Sequence, residues 1–264
     1  MRVRLYLHLV WRLIAVVRNW PVYWLNHFGY TKGEVSYKLR NGLTITSRAF
    51  AIDGGALNDV WFDESYEPNH FGIPFDWSTC RTIVDIGANI GTFTTYAGFK
   101  SPNAAIVAVE PEPDNLNMLE RNVRANNFGN RVTIVPAAIG GSDGTVTLHI
   151  TEKSSGGHSL YHKYGKTRDV EVPLVGLLTL LVNHHIGVLD FLKLDCEGGE
   201  YDALYSLSPE VLSRIRFMAV EYHHFSPDPR HTPDQLRAFL TQNGFVIKPG
   251  KKSMFFAQNA NPAA

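Results

Sequence analysis

From residue 82 onward the chain alternates between short apolar or β-branched runs and longer amphipathic stretches. This is the pattern of a mostly parallel sheet with helices on both faces. The runs are Thr82–Ile86, Ala105–Val109, Val132–Val135, Phe191–Leu194 and 217–220. Between the second and third, Leu116, Leu119 and Val123 mark the inner face of a helix that ends at 126–129. Near the C-terminus Thr232 and Gln235 form a capping box, Pro233 takes the first helical position and Gly244 ends the helix, with Leu236, Phe239 and Leu240 inward. Val246 and residues 254–257 then read as a closing antiparallel pair. The chain shows no internal repeat and no low-complexity segment.

Upstream the period changes. Val35, Tyr37 and Leu39 alternate with polar residues, Asn41-Gly42 offers a φ > 0 pair for a tight turn, and Leu43 and Ile45 resume the alternation. A β-hairpin is predicted there. Residues 53–79 are rich in aromatics without a clear period and read as a helical or irregular cover on one edge of the core. The first 28 residues hold Trp11, Trp20 and Trp24, but their longest uncharged apolar run, 13–17, is far short of the ~20 residues of a spanning helix. At 100° per residue, Arg4, His8, Arg12, Arg18 and Asn19 share one stripe, with Leu5, Leu9, Leu13, Val16 and Val17 elsewhere around the helix. Such an amphipathic helix docks on its own domain, on a second subunit in a homodimer, or on a membrane surface through residues 3–20. No small-residue cleavage site follows it. The division expected is an extension at 1–52 and a larger domain at 53–264.

Composition narrows the class. At 264 residues, 44% apolar and 19% charged, the chain has material for one large α/β domain and is not a disordered protein. Lys plus Arg number 25 and so do Asp plus Glu, without a block of either sign, which argues against nucleic acid as the main ligand. Cys80 and Cys196 are too few for a disulfide framework. The expected location is cytoplasmic, with membrane association through the N-terminal helix left open.

The most informative stretch is Val84-Asp85-Ile86-Gly87-Ala88-Asn89-Ile90-Gly91-Thr92-Phe93, a strand that enters a glycine-bearing turn and then a helix. Gly87 and Gly91 allow close backbone approach to a ligand, and Asn89 tolerates the left-handed conformation. The next strand ends in Val109-Glu110-Pro111, which places a carboxylate beside the loop, able to accept both hydroxyl protons of a ribose. The loop lacks both the Gly-x-Gly-x-x-Gly of dinucleotide sites and the Gly-x-x-x-x-Gly-Lys of triphosphate sites. Asp85 repels phosphate and suits the cationic amino-acid end of S-adenosylmethionine. Small residues at Ala137-Ala138-Ile139-Gly140 can lie against a flat base.

A second acidic cluster, Asp195-Cys196-Glu197-Gly198-Gly199-Glu200, ends strand Phe191–Leu194, and Glu221-Tyr222-His223-His224 ends the next. These ends face the same crevice as the glycine loop. For methyl transfer to a hydroxyl, Asp195 or Glu197 orients the acceptor or takes its proton, and His223 is a candidate base. Asp195, Glu197, Glu221 and His223 also form a donor set compatible with a divalent ion, but no close-spaced ligand motif demands one and no metal is assigned. The Gly- and Ser-rich segment at 154–160 is a surface loop or a lid. Acceptor identity is expected to reside in loops at 71–77, 154–164 and 223–231.

Together these motifs, with Asn115 and Leu192-Lys193-Leu194-Asp195, resemble the FkbM family of S-adenosylmethionine-dependent methyltransferases over roughly residues 53–257. The resemblance implies a Rossmann-like class I methyltransferase fold and O-methylation of a hydroxyl on a sugar, glycan or small metabolite. Cys196 and Gly199 stand where the family more often has an aliphatic residue and an alanine, and the first 28 residues are outside the pattern. The layout of strand, glycine and acid alone also admits a nicotinamide-dependent oxidoreductase or a noncatalytic nucleotide-binding module.

Overall fold

The computed structural model describes residues 10–49, 53–151, 167–223, 227–251 and 253–263. Residues 10–16 form a short helix, α1, with Leu13 buried in the main core. Just beyond it Val17 bridges to Leu39, and Arg18 N and Arg40 N donate to Lys38 O and Val16 O. Residues 13–18 are therefore docked on the chain's own fold. The stripe positions Arg4 and His8 lie outside the described residues. Helix α2 (Pro21–His27) follows, with Tyr23 against Tyr37 and Phe62.

The hairpin forms as its alternation requires. Strands β1 (Glu34–Lys38) and β2 (Thr44–Arg48) pair antiparallel and bury Val35, Tyr37, Ile45 and Ser47 on one face. Its turn differs from the expected one. Gly42 has φ 95°, but Asn41 keeps a negative φ and accepts Leu43 N through its side chain at 3.1 Å. An Asx contact thus does what a second left-handed residue would have done.

Helix α3 (Asp53–Leu57) runs into a wider π-helical turn at Asn58–Phe62, and tight 3₁₀ turns follow at Pro68–Phe71 and Trp77–Thr79. The aromatics of this cover are core residues. The Phe75 ring lies 4.9 Å from Phe217 and 5.4 Å from Phe191, and Phe71 lies 5.1 Å from Phe256. Phe71, Phe75 and Trp77 thus pack against the sheet, while Gly72, Pro74 and Asp76 stay exposed. The other expected acceptor loops, 154–164 and the 224–226 part of 223–231, lie outside the described residues, as does the Gly/Ser-rich 154–160 segment.

The main sheet follows: β3 (Thr82–Ile86), α4 (Thr92–Lys100), β4 (Ala105–Val109), α5 (Pro113–Ala125) and β5 (Val132–Val135). A small sheet of β6 (Ala138–Gly140), β7 (Gly144–Thr151) and β8 (Thr167–Gly176) is then inserted. The chain returns through α6 (Leu177–Asn183), β9 (Phe191–Leu194), α7 (Glu200–Tyr205), α8 (Pro209–Leu212), β10 (Phe217–Glu221), α9 (Pro233–Gln242), β11 (Phe245–Pro249) and β12 (Met254–Asn259). The seven strands run β11-β12-β10-β9-β3-β4-β5, parallel from β10 to β5, with β12 antiparallel to both its neighbours.

Alternate residues of the strands feed two apolar layers. Ile83, Phe191 and Phe217 join Phe93 and Phe256 on one face, while Val84, Ile86, Leu192 and Leu194 join the α6, α7 and α9 side chains on the other. The chain winds outward from β3 through β4 to β5 and then reverses to β9, so the topological switch lies between β3 and β9. A crevice opens there beyond the strand ends. Among the described residues no helix is long and apolar enough to cross a membrane.

Candidate active site

At the switch, the turn after β3 meets the end of β9. A Cβ on Gly87 would sit 1.7 Å from the Asp195 carbonyl oxygen, and Gly87 has φ 73°. Only glycine fits. Gly91, also expected to face a ligand, has φ 85°, a Cβ there would come 2.7 Å from Leu119 Cδ1 of α5, and it is not among the lining residues of this junction's cavities. Asn89 adopts the left-handed conformation, at φ 51°. Its Oδ1 is buried and meets no donor among the described residues.

A cavity of ≈ 610 Å³ lies over this junction, and Gly87, Asn89, Glu110, Ala138, Asp195 and Glu197 all line it. Ala137, Ile139 and Leu148 of β7 complete its apolar side. Glu110 is almost fully buried and accepts Asn89 N at 2.8 Å, Glu112 N at 3.0 Å and Asn115 Nδ2 at 3.1 Å. Burial outweighs these bonds and lifts its pKa to about 7. The carboxylate is thus held in place before any ligand arrives.

Asp85 does not play the part expected of it. It is fully buried, lines neither this cavity nor the one beside it, and accepts the Thr94 hydroxyl at 2.6 Å. Its charge is met by Lys193 Nζ at 3.2 Å. Sheet register dictates the pairing: Asp85 of β3 stands opposite Lys193 of β9 on the same face. Buried and paired in this way, Asp85 does not reach either cavity directly. Lys193 also donates to Gly87 O at 2.8 Å and lies 3.5 Å from Asp195 Oδ2, so one buried ammonium ties the glycine turn to the acidic cluster. Although burial opposes its charge, Asp85 and Asp195 raise its pKa. The clue available in sequence is a lysine inside the apolar run Phe191–Leu194, which demands a buried anion.

A second cavity, ≈ 690 Å³, adjoins the first and shares Gly87, Asn89, Asp195 and Glu197 with it. Its far wall is Asp59, Val60 and Tyr66 from the aromatic cover, joined by Glu221 and His223 from the end of β10. Tyr66 Oη lies 3.3 Å from Asp195 Oδ2 and 3.2 Å from Glu221 Oε2. One hydroxyl proton cannot satisfy two carboxylates at once. Burial first, then the neighbouring Asp195, pushes Glu221 up to about 7; burial likewise brings Glu197 to about 7.

His223 is not suited to the role of base. Its Nδ1 is 2.8 Å from Oε1 of the fully buried Glu200, and its Nε2 is 3.7 Å from Glu197. Burial works against its charge, yet Glu200, Glu197 and Asp195 together raise it to about 10. At neutral pH it is an imidazolium that cannot accept a proton. Glu200 also takes Cys196 N and Gly198 N, which anchors the left-handed turn at Glu197 (φ 56°). Gly199 has a local reason as well: a Cβ would approach the Ile139 carbonyl oxygen to 2.5 Å. Burial pushes the Cys196 thiol well up, so it is not a reactive thiolate.

Residues 85–247 match the Methyltransferase FkbM domain, well over half of the chain. The chain belongs to the FkbM methyltransferase family. Like other FkbM proteins it takes its methyl group from S-adenosylmethionine. It is 28% identical to Methyltransferase sdnD of Sordaria araneosa over 194 residues, covering 62% of this chain and 73% of that protein. It is 30% identical to Methyltransferase 1 of Beauveria bassiana over 182 residues, covering 62% and 70%. Among solved structures it is similar to an FkbM methyltransferase from Methylobacillus flagellatus, with TM-score 0.44 and 17% identity. That match covers 77% of this chain and only about half, 52%, of the other.

The residues of this FkbM chain fit that methyl donor: an anchored carboxylate at Glu110, small side chains at Ala137 and Ala138, and the partnerless acceptor Asn89 Oδ1 converge on one cavity. Oxygen and nitrogen donors of Asp195, Glu221 and His223 lie within 4.8 Å of one another. Lys193 and Tyr66 already engage Oδ2 of that Asp195 carboxylate, and Glu200 lies 2.8 Å from His223 Nδ1.

Proposed function

We propose that this chain methylates a hydroxyl oxygen of a sugar, glycan or small metabolite held in the acidic cavity. The observation that supports this reading most is the shared wall, since Gly87, Asn89, Asp195 and Glu197 line both cavities. When bound, S-adenosylmethionine supplies a methyl group activated by its sulfonium. Glu110 would accept from the ribose hydroxyls, and Ala138 with its neighbours would face the base. What the chain adds to an in-line displacement is alignment and a place for the hydroxyl proton.

Asp195, held by Lys193 and Tyr66, orients the hydroxyl. One of Glu197 and Glu221, which both titrate near 7, takes its proton. The His223 imidazolium positions Glu197 and steadies its charged form. The test is incubation of the full chain with S-adenosylmethionine carrying a ¹³C methyl group and a panel of sugars, glycolipids and hydroxylated metabolites, with NMR of the product. A new O-methyl signal lost in the Glu197→Gln, Glu221→Gln double variant supports the reading. A methyl group found on nitrogen or carbon, or a rate unchanged by that variant, overturns it.

A further inference from the structure

Tyr66 enters the acidic chamber from the aromatic cover and is held firmly there. The side chain is buried, its ring meets Phe93 edge-on at 5.2 Å, and Lys193 Nζ lies 5.7 Å from the ring centre. The hydroxyl stands between the ends of β9 and β10, 3.3 Å from Asp195 Oδ2 and 3.2 Å from Glu221 Oε2. A phenol has one proton to donate and lone pairs with which to accept. Two ionised carboxylates would compete for that proton and leave the lone pairs without a donor.

The other neighbours decide which acid keeps its charge. Asp195 Oδ2 lies 3.5 Å from the Lys193 ammonium. Glu221 has no ion-pair partner among the described residues, and the Tyr66 hydroxyl is its contact. The surrounding charge points the same way: Asp85, Asp195, Glu197, Glu200 and Glu221 gather around Lys193 and His223 alone, five acids to two cations. Asp59, the remaining acid on the chamber lining, lies 3.5 Å from Lys251. Burial and then the charge of Asp195 favour the protonated form of Glu221, and burial keeps the Tyr66 phenol protonated.

From this geometry we infer that Tyr66 is a positioning residue that stores a proton on Glu221: the acid donates to Tyr66 Oη, the phenol donates to the Asp195 carboxylate, and Glu197 is left as the base. The inference rests on the hydroxyl-methylation reading. Glu197 differs from Glu221 in the two respects that matter. His223 Nε2, 3.7 Å away, favours its ionised form, and it lines both cavities, whereas Glu221 lines the chamber and not the donor cavity. In the transfer the acceptor oxygen bonds the methyl carbon, the carbon–sulfur electron pair stays on sulfur, and the hydroxyl proton passes to Glu197. The Glu221–Tyr66–Asp195 chain keeps its two protons throughout.

Carbon-13 NMR of the full chain tests this between pH 5.5 and 8.5, with the glutamate side-chain carboxyl labelled, S-adenosylhomocysteine at saturation, and the two signals assigned by Glu197→Gln and Glu221→Gln. Glu197 should ionise at the lower pH of the two. In Tyr66→Phe the Glu221 midpoint should fall by about one pH unit, because the protonated acid loses its acceptor. A phenol that donated to an ionised Glu221 would give a rise instead. A midpoint that stays or rises, or a Glu221 that ionises before Glu197, overturns the inference. With a methylated acceptor in hand, kcat should drop about 100-fold or more in Glu197→Gln, and less than about tenfold in Glu221→Gln, whose amide can donate to Tyr66 as the protonated acid does. The reverse ranking also overturns it. Absence of any O-methyl product counts against the hydroxyl reading alone, since the NMR titration needs no acceptor.

Discussion

Lys193 is the residue on which the site turns. Its ammonium is buried against Asp85, Asp195 and the Gly87 carbonyl, and removal of a buried partner leaves an uncompensated charge. Lys193→Met should destabilise the fold by about 3–5 kcal/mol. In the Lys193→Met, Asp85→Asn double variant much of that loss should return, which urea titration of the four proteins in the cycle will measure. Full additivity would deny the pairing. The carboxylates that face the chamber set the pH response. The glutamate that takes the proton, Glu197 or Glu221, must be ionised to do so, and kcat/KM should therefore rise with pH through about 7. It should fall again near 10, where His223 loses the charge by which it positions Glu197. A His223 acting as base would give no such alkaline limb.

At the scale of elements, the hairpin is part of the donor site's support. The outer edge of β2 is closed by two amides of α5: Asn122 donates to Thr46 O and accepts Thr46 N, and Asn126 does the same for Thr44. Paired in this way, the edge offers no free ladder at those positions. From the same strand Arg48 pairs with Asp53 at 3.0 Å and donates to Asn115, whose amide holds Glu110. Asn122→Ala should cost about 1–3 kcal/mol in thermal or urea unfolding, because it leaves buried backbone groups unpaired. Arg48→Met should weaken S-adenosylhomocysteine binding roughly three- to tenfold, the worth of one hydrogen bond in the chain that orients Glu110, and should also lower stability, because the buried Asp53 loses its ion pair with Arg48. Calorimetry on both variants separates the two effects.

Across the whole molecule, legibility followed the length of the interactions. Buried parallel strands are continuous apolar runs, so β3, β4, β5, β9 and β10 can be read from the chain, and the acids at their carboxyl ends converge because the sheet switches direction there. Val146, Leu148 and Ile150 alternate, as do Val170, Val172 and Leu174, but the β7–β8 pairing spans residues 152–166 and a local pattern does not disclose it. Pairings across strands were the least visible. That Asp85 faces Lys193, and that Tyr66 crosses to Asp195 and Glu221, depends on register and on the path of an aromatic segment without a period. The acidic chamber is therefore built largely from residues whose role no single motif announces.

The most direct measurement is calorimetric titration of the full chain and of Glu110→Gln with S-adenosylhomocysteine and with NAD, from pH 5.5 to 8.5. Glu110 titrates near 7 in the folded protein, and its protonated form is the poorer acceptor, so affinity should be constant above that pH and weaken on acidification below it. Glu110→Gln should bind roughly 10- to 100-fold more weakly, with the pH dependence gone, and NAD should give no heat of binding. Tight NAD binding without S-adenosylhomocysteine binding, or a Glu110→Gln protein that matches wild type at every pH, would contradict the assignment of this cavity to the methyl donor.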